Sequence, residues 1–161
     1  MERGIKYRNC ELESDIQNSF LLYKNTNQFT AFQCKILHRI LCTISLLFGC
    51  KLKETQHCNV CNETKETILH LFWECNIVKS LWLEMAEILK KNKCNVELPI
   101  SAQHIILGSD MLDYSINLFI VLIQYYIYSC RFSGQKPCVS GNKYIRERIV
   151  KKWEDIKIIL V

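Results

Sequence analysis

Four residues with the side-chain chemistry of metal ligands occur close together near the middle of this 161-residue chain. They are Cys58, Cys61, His70 and Cys75, in the pattern Cys-x2-Cys-x8-His-x4-Cys. Thiolates and imidazoles are the ligands of structural zinc sites, which are almost always four-coordinate and tetrahedral. A Cys-x2-Cys turn would place two ligands on one knuckle, and the following loop would bring in the other two. The spacing therefore predicts one structural Zn²⁺.

Two other interpretations of this stretch compete with the metal site. Unpaired cysteines are often buried as small apolar residues with no ligand role, but the compact spacing of the four residues favours a metal. His57 directly precedes Cys58 and could compete as a ligand. Cys58 is preferred because it completes the two-residue knuckle with Cys61.

The second pair of ligands requires a break in the helix that is predicted to carry it. His70 and Cys75 are five positions apart, and an ideal α-helix would separate them by roughly 140° around its axis. A straight helix would not aim both side chains at one ion. We therefore predict a break near Glu74, with Asn76 as the N-cap of the next helix.

The length and the apolar content of 49% are sufficient for one domain with a core. We predict a polar N-terminal segment with a short helix in residues 1–28, and a helical domain in residues 29–161 with its zinc element at 58–75. The N-terminus lacks the apolar stretch of a signal peptide. An intracellular location, cytoplasmic or nuclear, follows from this and from the metal-type cysteine spacing. The seven other cysteines are then expected to be free thiols, several of them in the core: Cys10, Cys34, Cys42, Cys50, Cys94, Cys130 and Cys138.

The apolar residues recur mostly at helical spacing, which predicts a mainly α fold. One helix should start at Phe29 and continue to Ile40 or Leu41, and Gly49 should end the next apolar stretch. A seam of large residues predicts a helix after the zinc element, with Trp82 in the core or, as the alternative, stacking on bases: Leu71, Cys75, Val78, Trp82, Met85 and Leu89. Residues 116–130 are very apolar, but this stretch of about 15 residues is shorter than the roughly 20 that a membrane span needs. We therefore predict a buried helix over residues 117–131.

Two basic surfaces are candidates for contact with nucleic-acid phosphates, which position a protein without reading sequence. The net charge is +5. A last helix is predicted from Asn142 or Lys143, and residues 143–157 hold six basic and three acidic side chains. The candidate residues are Lys35, His38, Arg39, Lys143, Arg146, Arg148, Lys151 and Lys152. The alternative is that these faces are merely solvated.

Three stretches of the chain resemble the C-terminal zinc-binding region of non-LTR (LINE-type) retrotransposon reverse transcriptases. The first is FQCKILHRILCT, residues 32–43. The most specific is Cys58-x2-Cys61 with ETILHLFWEC at residues 66–75 and Trp82, and the third is ILG at 106–108 with IYSCRF at 127–132. Together they span roughly residues 30–150, which is most of the chain.

The resemblance implies that Cys58, Cys61, His70 and Cys75 bind zinc. It also implies that the region helps to hold template RNA or target DNA during target-primed reverse transcription. Cys42 stands where family members often carry Pro, which is a minor departure. The polymerase of that family needs a pair of adjacent aspartates, since two metal ions must be clamped by carboxylates. The sequence contains no Asp-Asp, and a nuclease built on Asp110 and Asp113 lacks a basic partner at a useful spacing.

Two functions remain as alternatives, neither of them enzymatic. One is a zinc-dependent module that binds RNA or single-stranded DNA. The other is a structural or protein-interaction domain that docks on a polymerase portion, with zinc only stabilising its core. Neither interpretation involves a membrane or a small-molecule substrate.

Overall fold

A computed structural model of the chain describes residues 27–91, 101–109, 112 and 114–138. This part is mainly helical, as predicted, and contains no β-strand beyond one isolated bridge. The helices are α1 (Asn27–Leu37), α2 (Ile44–Gly49), α3 (Asn76–Lys91), α4 (Ala102–Leu107) and α5 (Tyr114–Ser133), with a π-helical segment at His70–Glu74. Within the described residues, no helix has both the length and the apolar character needed to cross a membrane.

Helix α1 ends earlier than its apolar pattern predicts. The pattern continues to Ile40 or Leu41, but the helix stops at Leu37 because Arg39 adopts a left-handed conformation with φ 57°. The N–H of Ile40 then donates back to the carbonyl of Lys35 over 2.9 Å. This is the hydrogen-bond pattern of a helix that is closed by a left-handed residue. Ile40 is left 60% exposed, whereas Leu41 turns into the core.

Helix α2 is short and is fixed at its first turn. Thr43 is its N-cap, and the hydroxyl oxygen accepts a hydrogen bond from the N–H of Leu46 at 3.3 Å. This bond satisfies one of the backbone donors that a helix leaves unpaired at its start. The helix ends at Gly49, as the sequence predicts.

The predicted seam on α3 faces the core. Val78, Trp82 and Met85 are almost completely buried. The indole Nε1–H of Trp82 donates to the carbonyl oxygen of Phe72 over 2.9 Å. The prediction of Trp82 as a core residue is therefore confirmed, and the hydrogen bond joins α3 to the π-helical segment.

Aromatic side chains hold α1 against α5. Phe32 makes an edge contact with Tyr125 at 5.3 Å between ring centroids and a tilted contact with Tyr128 at 5.5 Å. Phe29 contacts Tyr125 at 5.7 Å, and Phe32 also contacts Phe72 at 6.2 Å. Aromatic pairs of this geometry contribute about 0.5–1.5 kcal/mol beyond the area that they bury.

Two buried glutamines clamp α4 between α1 and α5. The side-chain amide of Gln33 donates to the carbonyl of Ile106 over 2.9 Å, and that of Gln124 donates to the carbonyl of Ile105 over 2.6 Å. At the start of α4, the hydroxyl of Ser101 accepts from the N–H of His104 at 3.1 Å. These bonds satisfy backbone groups at both ends of a helix that is too short to be stable alone.

Helix α5 begins three residues before the predicted start at Asn117. The side chain of Asn117 instead fastens the loop that precedes the helix. Its Oδ1 accepts from the N–H of Ser109 at 3.0 Å, and its Nδ2 donates to the carbonyl of Leu112 over 3.0 Å. Much of α5 is buried, as predicted for this apolar sequence.

Several predictions concern parts of the chain that the structure does not describe. They are the short helix near the N-terminus and the last helix from Asn142 or Lys143. The core position of Leu89 also stays a prediction, because its backbone is described within α3 but its side chain is not. The domain boundary between residues 28 and 29 also stays a prediction.

Candidate metal centre

The first two ligands lie on a tight turn that is closed by an isolated antiparallel bridge between His57 and Lys65. The N–H of Cys58 donates to the carbonyl of Thr64 over 2.7 Å, and the N–H of Glu66 donates to the carbonyl of Gln56 over 2.8 Å. Within the turn, Asn62 adopts the left-handed conformation at φ 60°, which asparagine tolerates better than most residues. The sulfur of Cys58 accepts from the N–H of Val60 at 3.4 Å. This arrangement is the knuckle predicted from the Cys-x2-Cys spacing.

The other two ligands are brought together by the π-helical segment. The N–H of Cys75 donates to the carbonyl of His70 over 2.9 Å, which is the i to i+5 bond that defines a π-turn. Residues five apart therefore lie nearly above one another, whereas an α-helix would separate them. The helix is also interrupted, as predicted, at Cys75 (ψ 125°), one residue after the predicted position at Glu74.

Cys75, and not Asn76, occupies the N-cap position of α3. Asn76 is the first residue of the helix, so its prediction as the N-cap was wrong. The carbonyl of Cys75 accepts from the N–H of Lys79 at 2.8 Å, which is the first hydrogen bond of the helix. A thiolate can replace the usual Ser or Asp at an N-cap because it can also accept hydrogen bonds from the unpaired N–H groups.

The four ligand atoms lie within 4.8 Å of one another. The sulfur of Cys61 is 3.4 Å from Nε2 of His70. Two sulfurs bound tetrahedrally at zinc–sulfur distances of about 2.3 Å are about 3.8 Å apart. The described side chains are thus already gathered at a spacing that suits one tetrahedral ion. His57 is exposed and is not a member of the cluster.

The hydroxyl of Thr64 lies beside the imidazole of His70. Its oxygen is 3.0 Å from Nδ1 and 3.2 Å from Nε2, so it is within hydrogen-bond reach of both ring nitrogens. Metal-ligating histidines almost always donate their second ring N–H to an oxygen acceptor, and the Thr64 hydroxyl is close enough for this role. Thr64 was not singled out from the sequence.

The pKa values of the two buried thiols shift in opposite directions. Side-chain hydrogen bonding with Cys75, together with burial, raises the pKa of Cys58 far above its usual value. The same interaction with Cys58, aided by N–H groups of α3, lowers the pKa of Cys75. Cysteine ligands must be deprotonated to bind a metal, so an ion would displace the thiol protons.

The site is closed on one side and accessible on the other. Cys58 and Cys75 are fully buried, and Phe72 lies in the core beside them. Cys61 is half-buried, and together with His70 it borders an open groove that is also lined by Glu63, Thr64, Lys65 and Glu74. A metal at the site would therefore be exchangeable from the side of Cys61 and His70.

A buried ion pair lies beside the knuckle. Arg131, in the last turn of α5, places its Nε 2.7 Å from the Oε1 oxygen of Glu66, and both side chains are almost completely buried. Sequence reasoning missed this pair as a functional element. The signals were a charged residue within the specific Glu66–Cys75 stretch and a single arginine at the end of a very apolar helix.

The predicted phosphate-contacting residues are described only in part. Lys35 lies in the last turn of α1, and His38 and Arg39 follow in the turn that ends it; all three are exposed. Their common basic face and its contact with phosphates stay predictions. Lys143, Arg146, Arg148, Lys151 and Lys152 lie outside the described residues.

All eight cysteines in the described part of the chain are free thiols. Three belong to the cluster. Among the five others, only Cys130 is buried, and Cys42 and Cys50 are exposed. Cys10 and Cys94 lie outside the described residues.

Comparison of the chain with protein-family models finds no family that matches, and comparisons with curated proteins and with solved structures find no match either. The class of protein is therefore defined by the fold and the site alone. The chain is a mainly helical protein with a Cys3His cluster, formed by Cys58, Cys61, His70 and Cys75, that could hold a metal ion.

Proposed function

We propose that the chain is a zinc-binding module that contacts RNA or single-stranded DNA, and that it derives from the C-terminal region of a LINE-type reverse transcriptase. The observation that carries the proposal is the convergence of Cys58, Cys61, His70 and Cys75 within 4.8 Å. Three thiolates and one imidazole are a ligand set typical of structural Zn²⁺. With all four positions filled by protein, the ion has no open coordination site and its role is structural.

The packing of the three stretches supports the proposed origin. Phe32 of the first stretch contacts Phe72 of the second and Tyr128 of the third. The ion pair between Glu66 and Arg131 joins the second stretch to the third. Residues that are far apart in sequence and resemble one family region thus form one structural unit.

The exposed basic turn supports contact with nucleic acid. Lys35, His38 and Arg39 are exposed and lie within five residues of one another at the end of α1, in a chain of net charge +5. Contacts of this type supply affinity through the release of counterions. The absence of an Asp-Asp pair supports a binding role without polymerase activity. Free cysteines and a thiolate site agree with a reducing, intracellular location.

The metal proposal is tested first, on the purified chain. We expect one zinc per chain by elemental analysis, held against a moderate chelator. A folded chain that retains no zinc would contradict the metal role and remove the main support for nucleic-acid binding.

The binding proposal is tested by titrating single-stranded RNA and DNA oligonucleotides at several salt concentrations. We expect binding to weaken steeply with salt, with the slope falling by about 0.7 for each phosphate contact removed. The variant Lys35→Gln/His38→Gln/Arg39→Gln should lower both the affinity and this slope. The control, Lys79→Gln/Lys90→Gln/Lys91→Gln, removes exposed positive charges from α3 and should change them less. Equal losses in the two variants, or no binding at micromolar protein, would contradict the proposal.

A second candidate function is a structural domain that docks on a polymerase portion. It is favoured by large apolar side chains on the surface, since Leu52 is 70%, Phe132 68% and Leu83 60% exposed. This function predicts self-association of the isolated chain that increases with concentration in analytical sedimentation. A chain that stays monomeric at high concentration would argue against it.

A further inference from the structure

The carboxylate of Glu66 connects three separate parts of the molecule. It is completely buried. Its Oε2 accepts a hydrogen bond from the N–H of Asn59 at 3.1 Å, and its Oε1 accepts one from the N–H of Ile44 at 2.8 Å. The guanidinium Nε of Arg131 lies 2.7 Å from Oε1 and compensates the charge of the carboxylate.

Each contact of Glu66 reaches a different element. Asn59 lies between the ligands Cys58 and Cys61, so its hydrogen bond fixes the backbone of the knuckle. Ile44 is the first residue of α2, and the carbonyl of Glu66 also accepts from the N–H of Ser45 at 3.3 Å. Arg131 belongs to the last turn of α5. Glu66 touches none of the four ligands itself.

These contacts depend on one another because the charge is buried. A carboxylate out of water is costly unless it is both paired and hydrogen-bonded. Breaking a buried ion pair by removing one partner is strongly destabilising, because an uncompensated charge is left inside the protein. The knuckle, the start of α2 and the end of α5 therefore all contact the same carboxylate. If one of them loses its order, the carboxylate lacks a partner and its contacts with the other two weaken.

We propose that Glu66 is a positioning residue for the metal site and that, through it, metal binding orders α2 and the last turn of α5. This inference rests on the proposed metal binding and not on the proposed nucleic-acid binding. The ion holds the knuckle closed, the closed knuckle presents the N–H of Asn59 to Glu66, and the fixed carboxylate holds Ile44 and Arg131.

The test compares Glu66→Gln with Glu63→Gln in zinc competition against a chromophoric chelator. Both substitutions remove one negative charge from the same loop, but Glu63 is exposed on the groove beside Cys61 and His70. We expect Glu66→Gln to weaken zinc binding about 10- to 100-fold, as for other residues that orient metal ligands. Glu63→Gln should weaken it less than about fivefold, because exposed charges contribute little. Equal effects in the two variants would overturn the inference.

A general loss of stability must be separated from positioning. Met85→Ala opens a cavity in the buried seam of α3 and serves as a destabilised control. With saturating Co²⁺, we expect the ligand-field spectrum of Glu66→Gln to differ from that of the wild type, because the knuckle geometry changes. The spectrum of Met85→Ala should match the wild type. A wild-type spectrum in Glu66→Gln would contradict the positioning role.

Hydrogen exchange on the wild-type protein keeps the test decisive if Glu66→Gln does not fold. On removal of the metal, we expect the amides of Asn59 and Ile44 to lose protection together, along with the last turn of α5. Loss of protection at Asn59 while Ile44 stays protected would overturn the inference. A wild type that binds no zinc at all would instead refute the proposed function, so the two failures are distinguishable.

Discussion

The metal element, residues 56–75, and the helical core formed by α1, α4 and α5 are stabilised by different kinds of interaction. The core relies on aromatic contacts around Phe32 and on buried apolar side chains such as Phe119 and Ile123. The metal element instead gathers thiols, an imidazole and a buried carboxylate, with little regular secondary structure.

Because their interactions differ, the two regions should respond differently to the same treatment. Apolar burial contributes to stability without a ligand. A cluster of thiolates gathered within a few ångströms repels itself unless a cation or protons compensate the charge. The helical core should therefore tolerate metal removal, and the metal element should not.

The largest effect is expected from removing ligands. Structural zinc in small domains contributes apparent binding free energies of about 10–16 kcal/mol, so Cys58→Ser/Cys61→Ser should abolish zinc retention and unfold the metal element. Hydrogen exchange should show lost protection in residues 56–75, with protection retained in α1 and in α5 before its last turn. The control Cys42→Ser/Cys50→Ser changes two exposed cysteines and should retain one zinc. Loss of protection in α1 as large as that in residues 56–75 would contradict the separation of the two regions.

A substitution in the helical core should lower stability without removing the metal. Phe119→Ala should lower the free energy of unfolding by about 3–5 kcal/mol, because it leaves a cavity in the buried face of α5. Urea denaturation measures the change. The folded fraction should still contain one zinc per chain. A folded Phe119→Ala protein without zinc would show that the core and the metal element are not separable.

The hydrogen bond between Trp82 and Phe72 links the two regions, and its removal should have an effect of intermediate size. Trp82→Phe removes the donor and leaves the carbonyl of Phe72 without this partner, which should cost about 1–3 kcal/mol. Trp73→Phe, at a partly buried position, is the matched control and should cost less. Thermal unfolding with and without chelator would show whether the cost depends on the metal. If the cost is no larger than that of the control, the hydrogen bond does not link the two regions.

The smallest effects are expected at the helix caps. Ser101→Ala, in the core region, should lower the stability by about 1 kcal/mol, as is typical for the loss of an N-cap. Thr43→Ala should cost less, about 0.5 kcal/mol, because its hydrogen bond is longer and Glu66 also holds the start of α2. Urea denaturation of both variants under zinc-saturating conditions measures this order. A larger cost at Thr43 would indicate that the cap, and not Glu66, fixes α2.

Local patterns predicted most of the described fold. The Cys-x2-Cys spacing indicated the knuckle, and the recurrence of large apolar residues indicated α1, α3 and the buried α5. The need for a break between His70 and Cys75 followed from the angle between residues on an α-helix. In each case the determining contacts lie within a few residues of one another.

Other features depend on contacts that spacing does not encode. The end of α1 at Leu37 depends on the left-handed conformation of Arg39, a residue with no marked preference for it. Cys75 displaced Asn76 as the N-cap because the sulfur already lies at the start of α3. The pairing of Glu66 with Arg131 requires knowledge of which helix packs beside the knuckle. No periodicity in the sequence contains that information.

The position of Cys75 determines how the charge of an occupied centre interacts with the dipole of α3. A divalent ion with three thiolates and a neutral imidazole carries one net negative charge. Because Cys75 is both a member of the cluster and the N-cap of α3, this charge would lie at the end of the helix where the peptide dipoles concentrate positive potential. The helix and the occupied centre would thus attract each other by about 0.3–1 kcal/mol. A bare dication at the same point would be repelled, so the thiolates make the start of α3 a favourable place for a metal.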